Sequence, residues 1–224
     1  MKPKLNIEIL KVAAQQFCEI ESTFANENLF GVTDGKAIGT YIEHKFQVFL
    51  GERFTHKKGS SARGIDLPST DINTDIKVTS IRQPQSSCPF RDAKQKIFGL
   101  GYNLLIFVYD KTDDAATKTT ILDFVSCTFL EKERTADYNT TFNIRKMIED
   151  GAIQDDIAGF LEDKRIPADF DVLYELAGQI LENAPLQGYL TISNALQWRL
   201  QYGRVVKLTE EISGISKLID KITE

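Results

Sequence analysis

Apolar residues recur at helical spacing through residues 5–25, where Ile9, Leu10, Ala13, Phe17, Ile20 and Phe24 form one stripe. The spacing predicts a long amphipathic helix. A loop with Asn26, Asn28, Gly31 and Asp34-Gly35 leads to a second helix expected from about Lys36 to Arg53, with Ile38, Ile42, Phe46 and Phe49 as its buried stripe. The period then falls to two. Ile72, Thr74, Ile76 and Val78 alternate with Asn73, Asp75, Lys77 and Thr79, as in a strand with one mainly apolar and one polar face. Leu104 to Tyr109 is continuously apolar, which predicts a strand over 103–110 buried on both faces. Thr119 to Phe129 reads as another strand.

The connections follow from local chemistry. Pro84 stops Ile81 to Ser87 from continuing as a central strand, so a loop is expected there. Phe90 to Leu100 has Ala93, Ile97 and Leu100 on one helical side. Residues 141–163 and 169–183 read as helices, the second bracketed by Pro167 and Pro185. Beyond Pro185 the pattern suggests a short helix capped by Ser193 and holding Leu196, Trp198, Arg199 and Leu200. A strand from Arg204 to Leu208 and a final helix capped by Thr209 should follow. The expected fold is α/β (α+β), a mixed central sheet flanked by helices with a helical C-terminal part. We divide it at 1–130 and 131–224.

Composition narrows the class. The 224 residues are 42% hydrophobic, enough for a sizeable core. No apolar run reaches eighteen residues, and Met1-Lys2-Pro3-Lys4 opens an amphipathic stretch, so a cytoplasmic protein without a membrane span is expected. Cys18, Cys88 and Cys127 are odd in number and far apart, against a disulfide framework or a zinc site. They are expected as buried thiols. His44 and His56 are the only histidines, against nuclease designs that combine a histidine base with histidine ligands.

The net charge of −5 disfavours nucleic acid only if charge is evenly spread. It is segregated. Arg53, Lys57, Lys58 and Arg63 occur without an acid, as do Lys77, Arg82 and Arg91, and later Arg199, Arg204 and Lys207, whereas residues 149–175 hold nine acids. Local positive charge is what phosphate contacts require.

Chemistry concentrates in Gly64 to Ser80. Asp66 lies within a short apolar run, Ile65 to Leu67, that Pro68 ends, and a hairpin would bring it beside Asp75. Two carboxylates so placed can hold Mg²⁺, a hard cation that prefers oxygen ligands. Lys77, on the face of Asp75, can orient a water and offset charge on a phosphorane-like transition state. The competing interpretation is a solvent-facing ladder on an edge strand, with Asp66 as a turn former.

At Asp66 and Asp75-Ile76-Lys77 the chain resembles the PD-(D/E)xK nuclease superfamily, although Ile65 stands where a proline commonly precedes the first acid. The strand, proline-containing loop, helix and buried strand from Asp75 to Tyr109 look particularly like those of type II restriction endonucleases. The resemblance implies a restriction-endonuclease-like core over roughly Lys36 to Phe129. It implies a metal site of Asp66, Asp75 and the Ile76 carbonyl, with Lys77 positioning the water. A glutamate on the helix before the catalytic strands often joins such sites, and Glu43 stands there. The implied function is Mg²⁺-dependent cleavage of double-stranded DNA at a short sequence by a homodimer, with a protecting DNA methyltransferase in the host.

Around that centre, Arg63 in the basic loop, Thr79, Arg82, Gln83 and Gln85 after the strand, and Arg199 and Arg204 near the C-terminus are candidate DNA contacts. Arginine and glutamine pair bidentately with guanine and adenine. Two alternatives remain open: a repair or recombination endonuclease with the same site, and a non-cleaving DNA-binding module.

Overall fold

Asn6 starts the first helix, α1 (Ile7–Glu21), by accepting the Ile9 N–H at 2.9 Å on its side-chain oxygen. Asp34 does the same for α2 (Gly35–Arg53), accepting the N–H groups of Lys36 and Ala37. These belong to a computed structural model that describes residues 2–59, 64–89, 91–193 and 197–222, with the side chains of residues 89, 197 and 198 outside the description. The chain divides into two compact units. The first comprises residues 1–84, 102–130 and 209–224, and the second residues 85–101 and 131–208.

The first unit carries a four-stranded mixed sheet of β1 (Thr74–Ser80), β3 (Asn103–Asp114), β4 (Thr119–Leu130) and β7 (Ile215–Asp220), in the order β1-β3-β4-β7. The β1–β3 pair is parallel and the other two are antiparallel. Every residue from Asn103 to Tyr109 is buried, as the apolar run predicts. Leu105, Phe107 and Tyr109 join Ile76 and the buried stripes of α1 and α2 in one core. Phe46 lies 5.0 Å from both Phe17 and Phe107 between ring centroids. Leu122, Phe124, Cys127 and Phe129 of β4 face that same core although their parity changes. Val108 pairs with Ser126 and Tyr109 with Phe124, so Val125 is an inserted residue, and this bulge shifts the alternation by one. The fold is thus the expected mixed sheet flanked by helices.

The second unit contains a small antiparallel sheet in the order β2-β6-β5, from β2 (Gln85–Pro89), β6 (Gln197–Gln201) and β5 (Thr191–Ile192). Its helices are α3 (Gln95–Phe98), α4 (Tyr138–Glu149), α5 (Gln154–Asp163), α6 (Phe170–Glu182) and the single turn α7 (Gly203–Val206). Leu161, Leu173, Leu176 and Ile180 lead their apolar core. All three cysteines are buried, as expected.

Several elements differ from the sequence expectation. The helix over 141–163 is two helices, broken where Gly151 takes φ +84°. The helix over Phe90 to Leu100 shrinks to one turn, and the expected loop from Ile81 to Ser87 ends in β2, which finds a partner in β6. Of the short helix expected to hold Leu196, Trp198, Arg199 and Leu200, residues 197–200 instead lie in the strand β6 and residues 194–196 lie outside the described residues, while the expected strand from Arg204 to Leu208 begins with α7. The final helix is β7. Gly214 at φ +86° ends any turn begun at Thr209, and Ile215 to Asp220 pair with the edge of β4 instead.

Candidate active site

The site is built on β1, which borders the first unit's sheet. Its register with β3 directs the backbone of alternate residues outward, and the segment before it uses that edge. Leu67 and Thr74 exchange two backbone hydrogen bonds of 3.0 Å as an antiparallel bridge. Continuing that register sets Asp66 opposite Asp75, and the two carboxyl groups come within hydrogen-bonding reach. A tight turn joins the two segments, with Ile72 and Asn73 donating to the Ser69 carbonyl and Asn73 at φ +37°.

Helix α2 supplies the third wall. Gly39, Glu43 and Gln47 are spaced by four and form a stripe along β1, one position round from Ile42, Phe46 and Leu50 in the core. A Cβ on Gly39 would stand 3.4 Å from the Val78 carbonyl oxygen, so the helix passes close to the strand. One turn on, Glu43 lies in the field of Asp66, Lys77 and Asp75. A further turn on, the Gln47 Nε2 donates to Asp66 Oδ1 at 3.2 Å. The second Asp66 oxygen accepts the Ile76 N–H at 2.9 Å. Within a strand, one residue's N–H and C=O point to the same edge, so the Ile76 carbonyl also faces this side. Behind Asp66, the Gly59 N–H donates to the Asp66 carbonyl oxygen at 2.7 Å. A Cβ at Gly59 would lie 2.0 Å from the Ile65 carbonyl oxygen, which only glycine avoids.

Lys77 Nζ sits 2.7 Å from Asp75 Oδ2, an ion pair whose acid is almost wholly enclosed. Burial pushes the Asp75 carboxyl up to about 7, with Asp66 adding to the rise, and the Lys77 ammonium only partly offsets this. Glu43 is raised to about 7 as well, first by burial and then by Asp66 and Asp75, against Lys77. Three carboxyl groups and one ammonium in a poorly solvated corner hold more negative charge than they can comfortably keep.

Glu43, Asp66, Asp75, Ile76 and Lys77, expected from the sequence, are therefore brought together. Thr79 is buried and donates to the Gln83 carbonyl at 3.1 Å, closing the turn that exposes Arg82 and Gln83. Gln85, Arg199 and Arg204 belong to the second unit. There Gln85 pairs with Gln201, Arg199 is exposed opposite Ser87, and the Arg204 guanidinium lies 4.0 Å over the Tyr138 ring. Arg63 lies outside the described residues, as do Ser60 and Ser61. The sequence reading passed over Gln47 and Gly59. The signal for Gln47 was its spacing of one helical turn from Glu43.

The acid–lysine pair with two further carboxylates, on the edge of a mixed sheet covered by α2, defines the class: a restriction-endonuclease-like α/β nuclease. The profile of the family described as "Type II restriction enzyme NspV" matches residues 4–217. The type II restriction enzyme NspV of Nostoc sp. (strain ATCC 29411 / PCC 7524) is 50% identical over 211 residues, which cover 94% of this chain and 95% of that protein. The chain belongs to the NspV family of type II restriction enzymes, and so to the site-specific deoxyribonucleases. No solved structure matches it.

Proposed function

We propose that this protein is a Mg²⁺-dependent type II restriction endonuclease that hydrolyses phosphodiester bonds of double-stranded DNA at a short specific sequence. The observation that carries this is the convergence of Asp66, Asp75, Lys77 and Glu43 through the Leu67–Thr74 bridge and the α2 stripe. Among the described residues, no three acid, histidine or cysteine side chains are disposed to enclose a metal ion by themselves. Mg²⁺ usually binds through one or two carboxylates and keeps water and phosphate oxygens as its other ligands. The donors available are all hard oxygens: Asp66, Asp75, the Ile76 carbonyl and, on the same wall, Glu43. When bound, the cation polarises the phosphate and acidifies a coordinated water.

The chain's own groups supply the rest. Asp66 and Asp75 would hold the cation, with Glu43 beside them at the helix side. Lys77, steadied by Asp75, orients the attacking water and meets the negative charge that grows on the phosphoryl oxygens. One P–O bond forms to the water oxygen as the P–O bond to the leaving deoxyribose oxygen breaks.

For target recognition, Arg82 and Gln83 on the turn after β1 are proposed base-reading side chains, with Thr79 fixing that turn. Gln85, Arg199, Arg204 and Arg63 are proposed further DNA contacts. A two-fold homodimer matches a palindromic target. A methyltransferase of the same specificity protects DNA in the cytoplasm of the host. Family membership favours this function over the repair nuclease and the non-cleaving module. Among the described residues no helix is long and apolar enough to cross a membrane.

The test is cleavage of unmethylated phage DNA with Mg²⁺ and with chelator. Discrete fragments in Mg²⁺ alone are expected. A smear overturns the sequence specificity, and intact DNA across salt and metal conditions overturns the cleavage.

A further inference from the structure

The metal-holding role proposed for Asp66 depends on where its two oxygens point. A carboxylate on a short bridge of two residues is free to rotate unless both oxygens are occupied. Here both are. Oδ2 accepts the Ile76 N–H at 2.9 Å, a donor fixed by the β1 backbone, and Oδ1 accepts the Gln47 side chain at 3.2 Å. Gln47 is half-buried on α2, and its neighbour one turn back, Glu43, faces the same cluster. Its neutral amide can donate to an acid without adding charge to a corner that already holds three carboxyl groups.

We infer that Gln47 is a positioning residue for cleavage. It locks the Asp66 carboxylate, together with the Ile76 N–H, in the orientation that leaves the remaining lone pairs toward Asp75. The Gly59 N–H on the Asp66 carbonyl fixes the backbone of the same residue, so side chain and main chain are held separately. Leucine at position 47 fills the space with no donor. Ligand-orienting partners of this kind typically carry 10- to 100-fold of metal affinity or activity.

The inference rests on Asp66 being a metal-holding carboxylate, so the experiment separates the two. Gln47→Leu and Asp66→Asn are compared with wild type by three readouts: kcat on duplex DNA, calorimetric titration of Mg²⁺ into the DNA-free protein, and DNA affinity in chelator. Gln47→Leu should lose about 10- to 100-fold in kcat and bind Mg²⁺ correspondingly more weakly, with DNA affinity unchanged.

If Asp66→Asn is inactive but Gln47→Leu cleaves and binds Mg²⁺ like wild type, the positioning role is wrong and the site stands. Loss of thermal stability in Gln47→Leu with unchanged Mg²⁺ affinity also overturns it, because Gln47 then only braces the helix. Full activity of Asp66→Asn removes the metal-holding reading and the inference with it. Should Gln47→Leu not fold, Gln47→Asn, one methylene too short to reach Oδ1, carries the same comparison.

Discussion

Two lysine–aspartate pairs stand two residues apart on neighbouring strands of the same sheet, and their acids titrate in opposite directions. Asp75 and Lys77 lie on β1, Lys111 and Asp113 on the exposed end of β3. Burial raises Asp75 to about 7 in spite of its lysine. Asp113 is held below the usual carboxylate range by hydrogen bonds from Lys111 and Thr120, with the Gly31 N–H a lesser donor. The side chain of Asp75 is 5% exposed and that of Asp113 35%. The spacing is shared, so spacing is not what makes a site. What distinguishes β1 is enclosure by α2 and by the 64–67 segment, and the two extra carboxyl groups that they bring. A lone ion pair on a wet strand end is surface chemistry of small consequence.

The largest effect should separate the pairs outright. Lys77→Ala is expected to lower kcat by about 100- to 1,000-fold, the cost typical of removing a donor aimed at developing charge. Lys111→Ala should cleave DNA as wild type does. A single-turnover assay on one oligonucleotide duplex reads both. Equal losses in the two variants would mean that the β1 cluster has no privileged place in the reaction.

A second, smaller effect sharpens the contrast through pH. Holding a cation requires ionised carboxylates. With Glu43 and Asp75 both raised to about 7, protons compete with Mg²⁺ throughout the neutral range. The Mg²⁺ concentration for half-maximal cleavage should fall as pH rises from 6 to 8, by about tenfold for each proton displaced per pH unit below 7. Glu43→Gln should flatten this dependence and Asp113→Asn leave it untouched. A dependence identical in all three proteins would contradict the assignment of these carboxyls to the metal.

Much of the enclosure was legible before the fold was known, and the reasons are local. The period-two alternation from Ile72 to Thr79 was enough to place Asp75 and Lys77 on one face. Pro68 and the apolar pair Ile65 and Leu67 marked the hairpin that sets Asp66 opposite Asp75. Glu43 followed from a stripe of apolar residues one position away. Gln47 stands one helical turn from Glu43, but its partner is nineteen residues off along the chain and a helical glutamine does not by itself announce a carboxylate acceptor. The errors cluster toward the C-terminus for a related reason. Thr209-Glu210-Glu211 is a good local helix start, but the edge of β4 offers Ile215 to Asp220 a ladder that local propensity cannot foresee. Gln197 to Gln201 is too short a run to separate a strand from a helix by period alone, and β2 decides it.

The smallest expected effect is on stability, and there the two regions should differ in sign. Glu43 has a folded-state pKa near 7 against about 4.5 when solvated, so its neutral form is what the folded protein accommodates. Folding therefore takes up a proton between those values. Stability contributed by the group is fully present below pH 4.5 and is lost as pH rises through about 7. In the metal-free protein, wild type should melt at a lower temperature at pH 8.5 than at pH 5.5. Glu43→Gln should close part of that gap by gaining a few degrees at pH 8.5 and little at pH 5.5. Asp113 runs the other way, since its folded pKa is depressed: its stabilisation is fully present above the solvated value and is lost as pH falls through the folded-state value. Asp113→Asn should thus lower the melting temperature slightly at pH 7, and by less as pH falls through the folded-state value. Saturating Mg²⁺ should erase the Glu43→Gln gain at pH 8.5, because the cation then neutralises the carboxyls whose repulsion the substitution had removed. A gain that persists unchanged in Mg²⁺ would mean that Glu43 is strained by burial alone and takes no part in binding the ion.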